Sequence, residues 1–571
     1  MYPSQVDAQL GPHQRSHDLK RMSAEIFDVV VIGGGVTGTG TALDAATRGL
    51  STALIEQRDY ASGTSSRSSK LLHGGLRYLE HMNFKLVAEA LRERNLMLNR
   101  LCPHLARPVS FLYPLQHRVW ERAYVGAGIL LYDMMASAAD TPMPSHRHLS
   151  KKKALALAPS LGEDSLIGGI VYWDAQVDDA RHTMNIARTA EHHGAALAPS
   201  ARATGFAMEG GRVVGVEVRD LESGEELLVR ARHVINTTGV WVDRVQSMAG
   251  RERNDIRASK GVHLVVPRDR IRGETGMILR TDQSVLFVIP WDHHWIIGTT
   301  DTDWGLDLAH PAASQADIDY LLDNVNKVLA EPLTEDDIEG VYAGLRPLMS
   351  GESEATSKVT REHLVLDSVP GLTSVVGGKY TTYRVMASDA VDRAAVDLNV
   401  DVPASVTEHT PLVGAEGYET LWTDREHLAP DLGLDSSRIE HLVGRYGSLV
   451  HQVFDAIRQD PRLGRPLEGS KEYLAVEIVY AASHEGALHL DDVLTRRTRI
   501  SIETADRGVI SARPAATLMG GVLGWDEATI DREVDHYLAR VAAELDSQEQ
   551  RSDRTADAAR LGASDVRMDG R

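Results

Sequence analysis

The sequence is poor in several residue types and patterns that define common classes of protein. It contains one cysteine, Cys102, in 571 residues, which excludes disulfides, cysteine-ligated iron–sulfur clusters and cysteine-rich zinc sites. It has no uncharged run of about 18 apolar residues, so no transmembrane helix is predicted, and its first residues lack the apolar core of a signal peptide. Any electron transfer by this protein would therefore depend on an organic cofactor.

Positive charge is scarce as well. Lysine and arginine total 61 against 81 aspartates and glutamates, which gives a formal net charge of −20. Such a chain would be repelled by a nucleic-acid backbone, and strong adhesion to an anionic bilayer would need a local basic patch. We therefore expect a cytoplasmic protein that binds no nucleic acid, with any membrane contact peripheral and on the cytoplasmic face.

Two further patterns have modest interpretations. The most apolar stretch, residues 124–139, is interrupted by Asp133, so we interpret it as a buried helix. An interfacial membrane contact is the alternative, because Arg118, Trp120 and Arg122 lead into this stretch. The adjacent histidines at 192–193 and 293–294 lack the spacing of metal ligands; we interpret them as surface residues and predict no metal site.

Residues 27–56 carry the most informative pattern, FDVVVIGGGVTGTGTALDAATRGLSTALIE. An apolar run predicts a buried parallel strand, Gly33-x-Gly35-x-x-Gly38 opens a helical stretch, and a second apolar strand ends in Glu56. Glycines so spaced permit a tight turn, a close approach to a pyrophosphate and close packing of the helix on the sheet. Glu56 is placed to accept hydrogen bonds from a ribose diol. The segment therefore predicts a dinucleotide site.

The rest of the sequence predicts an α/β protein with an additional all-α region. We expect a Rossmann-like nucleotide-binding domain assembled from residues 25–105, 160–255 and 340–400. An antiparallel, β-rich substrate domain is expected to be inserted as residues 106–159 and 256–339. A linker, 401–414, then leads to a C-terminal helical domain, 415–546. The polar ends, 1–24 and 547–571, are expected to be disordered.

Several segments occur in an order that resembles one family: VIGGGVTGTG, SSRSSKLLHGGLRYLEH, INTTGVWVD, SKGVHLVVP, IIGTTDTDW, YAGLRPL, SKVTREH and VVGGKYTTYR. Together they resemble the FAD-dependent glycerol-3-phosphate dehydrogenases of the respiratory type, within the D-amino-acid-oxidase-like flavoproteins. The resemblance covers about residues 26–395, and the helical region with DDVLTRRTRI is also similar. It implies an FAD cofactor, which we expect to be non-covalent; covalent attachment through His73 is the alternative.

The resemblance also implies where the cofactor binds. The hydroxyl-rich run is placed against the flavin rather than in a solvated linker, and paired glycines would let the backbone approach the ring or form an anion-binding nest. The expected FAD contacts are Gly33, Gly34, Gly35, Gly38, Glu56, Thr64, Ser65, Ser66, Ser68, Ser69, Gly74, Gly75, Gly239, Gly377 and Gly378.

Oxidation of a phosphorylated secondary alcohol needs a hydride acceptor, a base for the hydroxyl proton and cations for the phosphate. The residues expected to contact substrate are Arg77, Tyr78, Arg346, Arg361, Lys379 and Thr382. His263 is the leading candidate for the base, with His73 and Lys379 as alternatives, and Arg346 completes the expected catalytic set. A structural ion pair for each arginine, and a packed strand histidine for His263, are the competing interpretations.

The predicted reaction is the oxidation of sn-glycerol 3-phosphate to dihydroxyacetone phosphate, with electrons passed to a respiratory quinone. One alternative is an oxidase that gives the electrons to oxygen and makes hydrogen peroxide. Another is a flavin-binding sensor or partner protein without turnover, which would have no need of the substrate-side cations. The sequence leaves the oligomeric state open.

Overall fold

The computed structural model describes residues 8–76, 79, 82–117, 120–137, 143–251, 256–281, 285–349 and 362–567. The strands in these ranges, β1 to β18 in chain order, are Ile26–Ile32, Thr52–Ile55, Leu71–Leu72, Arg107–Leu115, Arg147–Ser150, Gly168–Gln176, Ala196–Ala198, Ala201–Glu209, Arg212–Asp220, Glu226–Asn236, Ile256–Pro267, Gly276–Arg280, Val285–Trp291, His294–Gly298, Thr302–Trp304, Gly340–Met349, His363–Val369 and Leu372–Gly377.

The α-helices in the same ranges, α1 to α18 in chain order, are Pro12–Ala24, Val36–Thr47, Phe84–Leu96, Trp120–Ser137, Lys151–Leu157, Asp179–His192, Val242–Met248, Gln315–Asn326, Tyr383–Leu398, Tyr418–Thr423, Ser436–Tyr446, Val450–Gln459, Ala475–His484, Leu490–Asp492, Ile500–Glu503, Val509–Leu523, Glu527–Glu549 and Asp553–Arg560. Short 3-10 turns at Thr64–Ser66, Gly239–Trp241 and Tyr380–Thr382 matter for the site described below.

The first sheet is the nucleotide-binding sheet, with strand order β17-β18-β10-β1-β2-β7 and with β9 and β8 continuing from β10. Its centre is parallel, because β1 pairs with both β2 and β10, and β10 pairs with β18. The apolar run of β1 is buried on both faces, as a parallel strand covered by helices requires. Helix α2 connects β1 to β2, which confirms the strand–helix–strand unit predicted from the glycine motif.

The second sheet has the order β15-β11-β14-β13-β12-β4-β6-β3, with β16 on β11 and β5 on β6. Its pairings are antiparallel except for β12 with β4, so the predicted β-rich layer is confirmed. The long pairing of β11 with β16 runs from Ile256↔Met349 to Val265↔Gly340 and sets His263 opposite Tyr342.

The domain boundaries expected from the sequence were wrong in three places. The expected nucleotide-binding domain includes β3, β6 and β16, but all three strands lie in the second sheet. Runs of buried apolar residues look alike in either sheet, so local sequence does not reveal which partner a strand takes.

The expectation that both chain ends are disordered was also wrong for their described parts. Helix α1 packs on the nucleotide-binding sheet through Met22, and Asp18 accepts a hydrogen bond from the Leu197 amide. Near the other end, α18 buries Ala556, and Arg567 is paired with Asp492. These segments are polar, yet specific ion pairs and a few apolar contacts hold them in place.

The chain after β18 and α9 is helical, as predicted. Helices α10 to α13 pack around one apolar cluster, and α13 to α17 pack around another. No helix in the described ranges is long and apolar enough to cross a membrane. The same ranges contain no grouping of three or more His, Cys, Asp or Glu side chains suited to a metal ion.

Candidate active site

The glycine turn between β1 and α2 has the geometry that its sequence predicts. Gly33 adopts φ +109°, a conformation that a side chain would disfavour. A Cβ at Gly38 would overlap the Gly33 carbonyl oxygen and crowd the Thr237 hydroxyl, so α2 can approach β10 only with glycine there. The N-terminus of α2 begins at Val36, whose amide donates to Ser65 Oγ over 2.9 Å.

Glu56 follows the last residue of β2 and lies directly beside this turn. Its Oε2 accepts from the Gly34 amide at 2.7 Å, and its Oε1 accepts from the Arg58 amide at 2.8 Å. Burial raises the pKa of Glu56, while the two amides oppose that shift. The carboxylate is therefore held rigidly at the mouth of the turn, where a ribose diol would lie.

A cavity begins at this turn and continues to β18. The predicted cofactor residues that line it are Gly33, Gly35, Glu56, Thr64, Ser65, Gly239, Gly377 and Gly378. Gly239, Gly377 and Gly378 all have positive φ, so their backbones take turns that favour glycine. These residues fit an extended dinucleotide, with the glycine turn for the pyrophosphate and the β18 glycines at the far end.

The hydroxyl-rich run forms a strap that connects this cavity to the second sheet. Thr64 Oγ1 donates to the Leu345 carbonyl at 2.6 Å, and Ser68 Oγ donates to Asp179 at 2.7 Å. Ser69 Oγ lies 2.8 Å from His263 Nε2. Ser66, Ser68 and Ser69 do not line the cavity in this structure, so their predicted cofactor contacts stay predictions.

The structure gives a different reason for Gly74 from the one expected. A Cβ at Gly74 would collide with Leu91 and with the hydroxyl of Tyr132, and the Gly74 amide donates to that hydroxyl at 2.8 Å. Glycine here is required by packing within the protein. Gly75 has φ +80°, and its expected proximity to the flavin stays a prediction.

His263 is the predicted base, and it is almost fully buried, at 2% exposed. Its ring stacks on Tyr342 with centroids 4.7 Å apart and planes 9° apart. Burial, and then the charges of Arg346 and Lys70, hold the pKa of His263 well below its usual value. The imidazole is therefore neutral at neutral pH, as a base must be.

Arg346 lies on β16 next to this histidine. Its guanidinium donates to Thr299 Oγ1 at 3.0 Å and to the Thr300 carbonyl at 3.2 Å, and Asp301 lies 3.5 Å away. A Cβ at Gly261, on the neighbouring strand, would strike this guanidinium. Arg346 thus has partial structural partners and is only part-buried. Its predicted contact with the substrate stays a prediction.

The remaining predicted residues divide by position. Lys379 lines the cavity described above, next to Gly377 and Gly378. Thr382 donates to the Lys379 carbonyl at 3.4 Å and is buried, so its hydroxyl is engaged within its own turn. The His73 amide is bonded to Thr381. Arg77, Tyr78 and Arg361 lie outside the described residues.

Of the histidine pairs, His192 and His193 are exposed, as interpreted from sequence. His294 is not: it is buried and its Nε2 lies 2.9 Å from Glu339. The reason is that His294 begins β14 and faces the sheet, whereas its neighbour His293 lies in the preceding turn and is exposed.

Sequence reasoning missed a buried charge network beneath the strap. Lys70 Nζ, which is fully buried, lies 2.8 Å from Asp179 and over the rings of Trp291 and Tyr342. Arg499, from the helical domain, reaches the same Asp179 at 2.6 Å and also pairs with Asp178. Lys70 and Arg499 lie in the family-like segments SSRSSKLLHGGLRYLEH and DDVLTRRTRI, but neither segment indicates that the two residues meet at Asp179. A lysine directly after a serine-rich turn and before an apolar strand was a usable signal.

Comparisons with known proteins agree with this geometry. The FAD dependent oxidoreductase family matches residues 28–384, and the C-terminal domain of alpha-glycerophosphate oxidase matches residues 405–530. The chain therefore belongs to the FAD dependent oxidoreductases, and FAD is its cofactor.

Within that family, its relatives are glycerol-3-phosphate dehydrogenases. It is 56% identical to glycerol-3-phosphate dehydrogenase 2 of Mycobacterium tuberculosis over 98% of this chain and 96% of that one. It is 35% identical to the human mitochondrial glycerol-3-phosphate dehydrogenase over 90% of this chain and 73% of that one. The FAD complex of the Bacillus halodurans glycerol-3-phosphate dehydrogenase superposes with a TM-score of 0.76 at 29% identity, covering 94% and 98% of the two chains.

Proposed function

We propose that this enzyme oxidises sn-glycerol 3-phosphate to dihydroxyacetone phosphate and passes the electrons to a membrane quinone. The observation that carries the proposal is the neutral, buried His263 beside Arg346, joined by the Ser69 strap to the cavity that fits FAD. A bound FAD supplies the two-electron acceptor. The protein must then hold the phosphate, orient the alcohol and remove one proton.

Proton removal is assigned to the pair of Ser69 and His263. Because His263 is buried, the alcohol proton passes through Ser69 Oγ to His263 Nε2, which lies 2.8 Å from that oxygen. Tyr342 stacks on the ring and fixes its orientation. The neighbouring Arg346 and Lys70 disfavour a lasting imidazolium, so the proton is released readily after each turnover.

The phosphate of the substrate is assigned to cations at the flavin end of the cavity. Lys379 lines that end of the cavity. Arg346 lies on β16, which pairs with β11, the strand that carries His263. Arg77 and Arg361 are assigned the same role on the family resemblance. Guanidinium groups suit phosphate because they offer paired donors.

The quinone assignment draws support from α4. The helix presents Trp120, Tyr124, Leu130 and Met134 to solvent, with Met134 63% exposed. Its opposite face holds Tyr132, which contacts Gly74 beside the expected flavin position. An exposed apolar helix with aromatic residues at one end suits a peripheral contact with a bilayer, where quinones reside.

The interpretation of residues 124–139 as a buried helix was therefore only half right for the described residues. The face with Gly126, Ile129 and Tyr132 is buried, and the opposite face is not. We assign the opposite face to the peripheral membrane contact. An oxidase of the same substrate, without membrane contact, remains the competing function.

An acceptor panel tests the proposal. Anaerobic glycerol 3-phosphate should bleach the flavin absorbance, and quinone analogues should restore it faster than air-saturated buffer, with no reaction with NAD. Hydrogen peroxide formed in step with substrate consumption would instead establish the oxidase. A flavin that substrate does not bleach would establish the non-catalytic alternative.

A second experiment tests the membrane contact. The double variant Leu130→Glu/Met134→Glu should lose sedimentation with liposomes and activity with long-chain quinone, while keeping activity with a water-soluble quinone analogue. Ile510→Glu, at an exposed apolar position of the helical domain, is the matched control and should behave as wild type. Equal liposome binding by both variants would rule out the α4 face.

A further inference from the structure

A second cavity lies between the nucleotide-binding layer and the helical domain, on the far side of Arg58 and Ser62 from the FAD cavity. Its walls come from distant parts of the chain: the Arg58–Arg67 region, His310, helix α17 and the segment after α18. The arginines lining it are Arg58, Arg67, Arg496, Arg540, Arg560 and Arg567. Three carboxylates line it too: Asp491 pairs with Arg496 and Arg540, Glu533 pairs with His489, and Asp565 lies 3.9 Å from Arg58 and 3.7 Å from His310.

Some of these arginines have carboxylate partners and others lack adequate ones. Arg496 pairs with Asp59, and Arg567 pairs with Asp492, both at short distances. Arg67 makes no ion pair with any carboxylate in the described part of the chain. Its Nη1 only donates to the Ala309 carbonyl at 3.3 Å, and Arg58 donates to that same oxygen at 3.4 Å.

The opposite wall repeats this pattern. Arg560 lies 5% exposed, and its nearest carboxylate is Glu544 at 3.5 Å, which Arg540 already holds at 3.0 Å. Arg540 also keeps one buried guanidinium nitrogen, Nη1, without a hydrogen-bond partner among the described residues. Burial and three neighbouring arginines, Arg58 first, lower the pKa of Arg67 to about 9.

His310 stands between the two walls. Its Nδ1 lies 3.4 Å from Arg560, and burial together with Arg560, Arg58 and Arg67 lowers its pKa to about 2. The ring is therefore neutral and adds a hydrogen-bonding group without adding charge. Arg67 and Arg560 are therefore two guanidinium groups here without a close carboxylate of their own in the described part of the chain, and together with the unused Nη1 donor of Arg540 they favour a bound anion.

We propose that this cavity binds a phosphate or phosphomonoester dianion, held by Arg67 and Arg560 from opposite walls. Several tetrahedral oxygens can accept from both guanidinium groups at once, which a single carboxylate does less well. Since α18 and the segment after it form one wall, the bound anion joins that segment to the nucleotide-binding layer. The site is separate from the substrate pocket and does not depend on the proposed reaction.

Phosphate titration of the FAD-loaded enzyme tests this site, at constant ionic strength set with chloride. Tm should rise with phosphate and saturate, and calorimetry should detect a phosphate site that persists in Lys379→Ala, where one of the proposed active-site cations is removed, and that is lost in the cavity variants below. Arg67→Gln should have a higher Tm than wild type without phosphate, because a repulsive charge is gone, and should bind phosphate at least about 10-fold more weakly. A purely structural arginine would give the opposite Tm change.

Arg560→Gln provides a second measurement distant from the flavin, in case Arg67→Gln fails to retain FAD. It should weaken phosphate binding similarly, while Arg554→Gln, an exposed position on the same helix, should leave it unchanged. Glycerol 2-phosphate tested beside inorganic phosphate distinguishes a phosphomonoester site from a free-phosphate site, according to which binds more tightly. A phosphate response that is absent, or equal in wild type and both cavity variants, would overturn the proposal.

Discussion

The imidazole of His263 is kept neutral by its surroundings, and this has a measurable consequence. In the unfolded chain its pKa would be near 6.5, and in the folded protein it lies well below that value. The acid limb of kcat/KM should therefore fall below pH 6.5, with rate lost as pH drops through the folded-state pKa. A limb centred at or above pH 6.5 would assign the base to another group.

Ser69 and His263 should behave as one functional unit. We expect His263→Ala to lower kcat by about 10²–10⁴-fold with FAD retained, and Ser69→Ala to cause a loss of similar size. The double variant should be no worse than the poorer single variant, because a relay is broken only once. Multiplicative losses, measured by steady-state kinetics, would contradict the relay. His73 and Lys379 would be tested next if His263→Ala kept near-normal kcat.

Arg346 should affect both substrate binding and the histidine. Arg346→Ala should weaken the use of glycerol 3-phosphate by about 10- to 150-fold, mostly in KM. It should also move the acid limb upward, since a charge that disfavours imidazolium is gone. Plain glycerol should be a poor substrate for wild type and suffer little from the change. A loss equal for both substrates would indicate a structural role through Thr299 and Asp301.

The sequence indicates these residues as candidates but does not indicate their partners. His263 is predicted from its place in the family-like segment SKGVHLVVP and from the titration range of imidazole, whereas its contact with Ser69 joins positions 194 residues apart. The same limit explains the missed Lys70–Asp179–Arg499 network, whose members are distant in sequence. It also explains Gly74, where the space for a side chain is taken by Tyr132 from α4.

At the scale of elements, the close approach of α2 to β10 depends on one glycine. Gly38→Ala should lower Tm and reduce FAD content, because the methyl group would overlap the Gly33 carbonyl and force α2 away from the sheet. Gly521→Ala, in α16 with open space around it, is the matched control. It should be neutral or stabilising by up to about 1 kcal/mol. Flavin absorbance per protein and thermal melts measure both effects.

Elements with strong local signals were predicted well. The β1–α2–β2 unit and the C-terminal helices follow from apolar periodicity and glycine placement. Helices α1 and α18 were not predicted, because each is mostly polar and owes its order to tertiary contacts, such as that of Arg15 with Asp220. Assignment of β3, β6 and β16 to a sheet failed for the related reason that strand pairing is decided by the whole fold.

For the molecule as a whole, buried charges between the layers predict a stability maximum near neutral pH. Burial alone would raise the pKa of Glu477, but the nearby charges of His441 and Arg445 have the larger combined effect and hold this pKa at about 2. Burial lowers the pKa of His182 to about 3. Stability from Glu477 is lost as pH falls below about 4.5, and stability from the neutral His182 falls as pH drops below 6.5, because the unfolded chain binds those protons more tightly.

The loss of stability at alkaline pH depends on a different residue, His489. Glu222 and Glu533 outweigh burial and raise the pKa of His489 to about 9. Its stabilising charge is fully present below pH 6.5 and is lost as pH rises through about 9. His489→Gln should therefore lower Tm at pH 6.5 and flatten the decline between pH 6.5 and 9. An unchanged alkaline slope in thermal melts would exclude His489 as its source.

The ion pairs between the helical domain and the nucleotide-binding layer limit how this protein can be recombined with its relatives. Arg496 and Arg497 both hold Asp59, and Arg499 holds Asp179 under the strap that carries Ser69. A chimera whose exchanged helical domain lacked these arginines would leave Asp59 buried without them and leave Asp179 with Lys70 as its remaining cation. Successful exchange therefore requires a donor helical domain that supplies arginines at these positions.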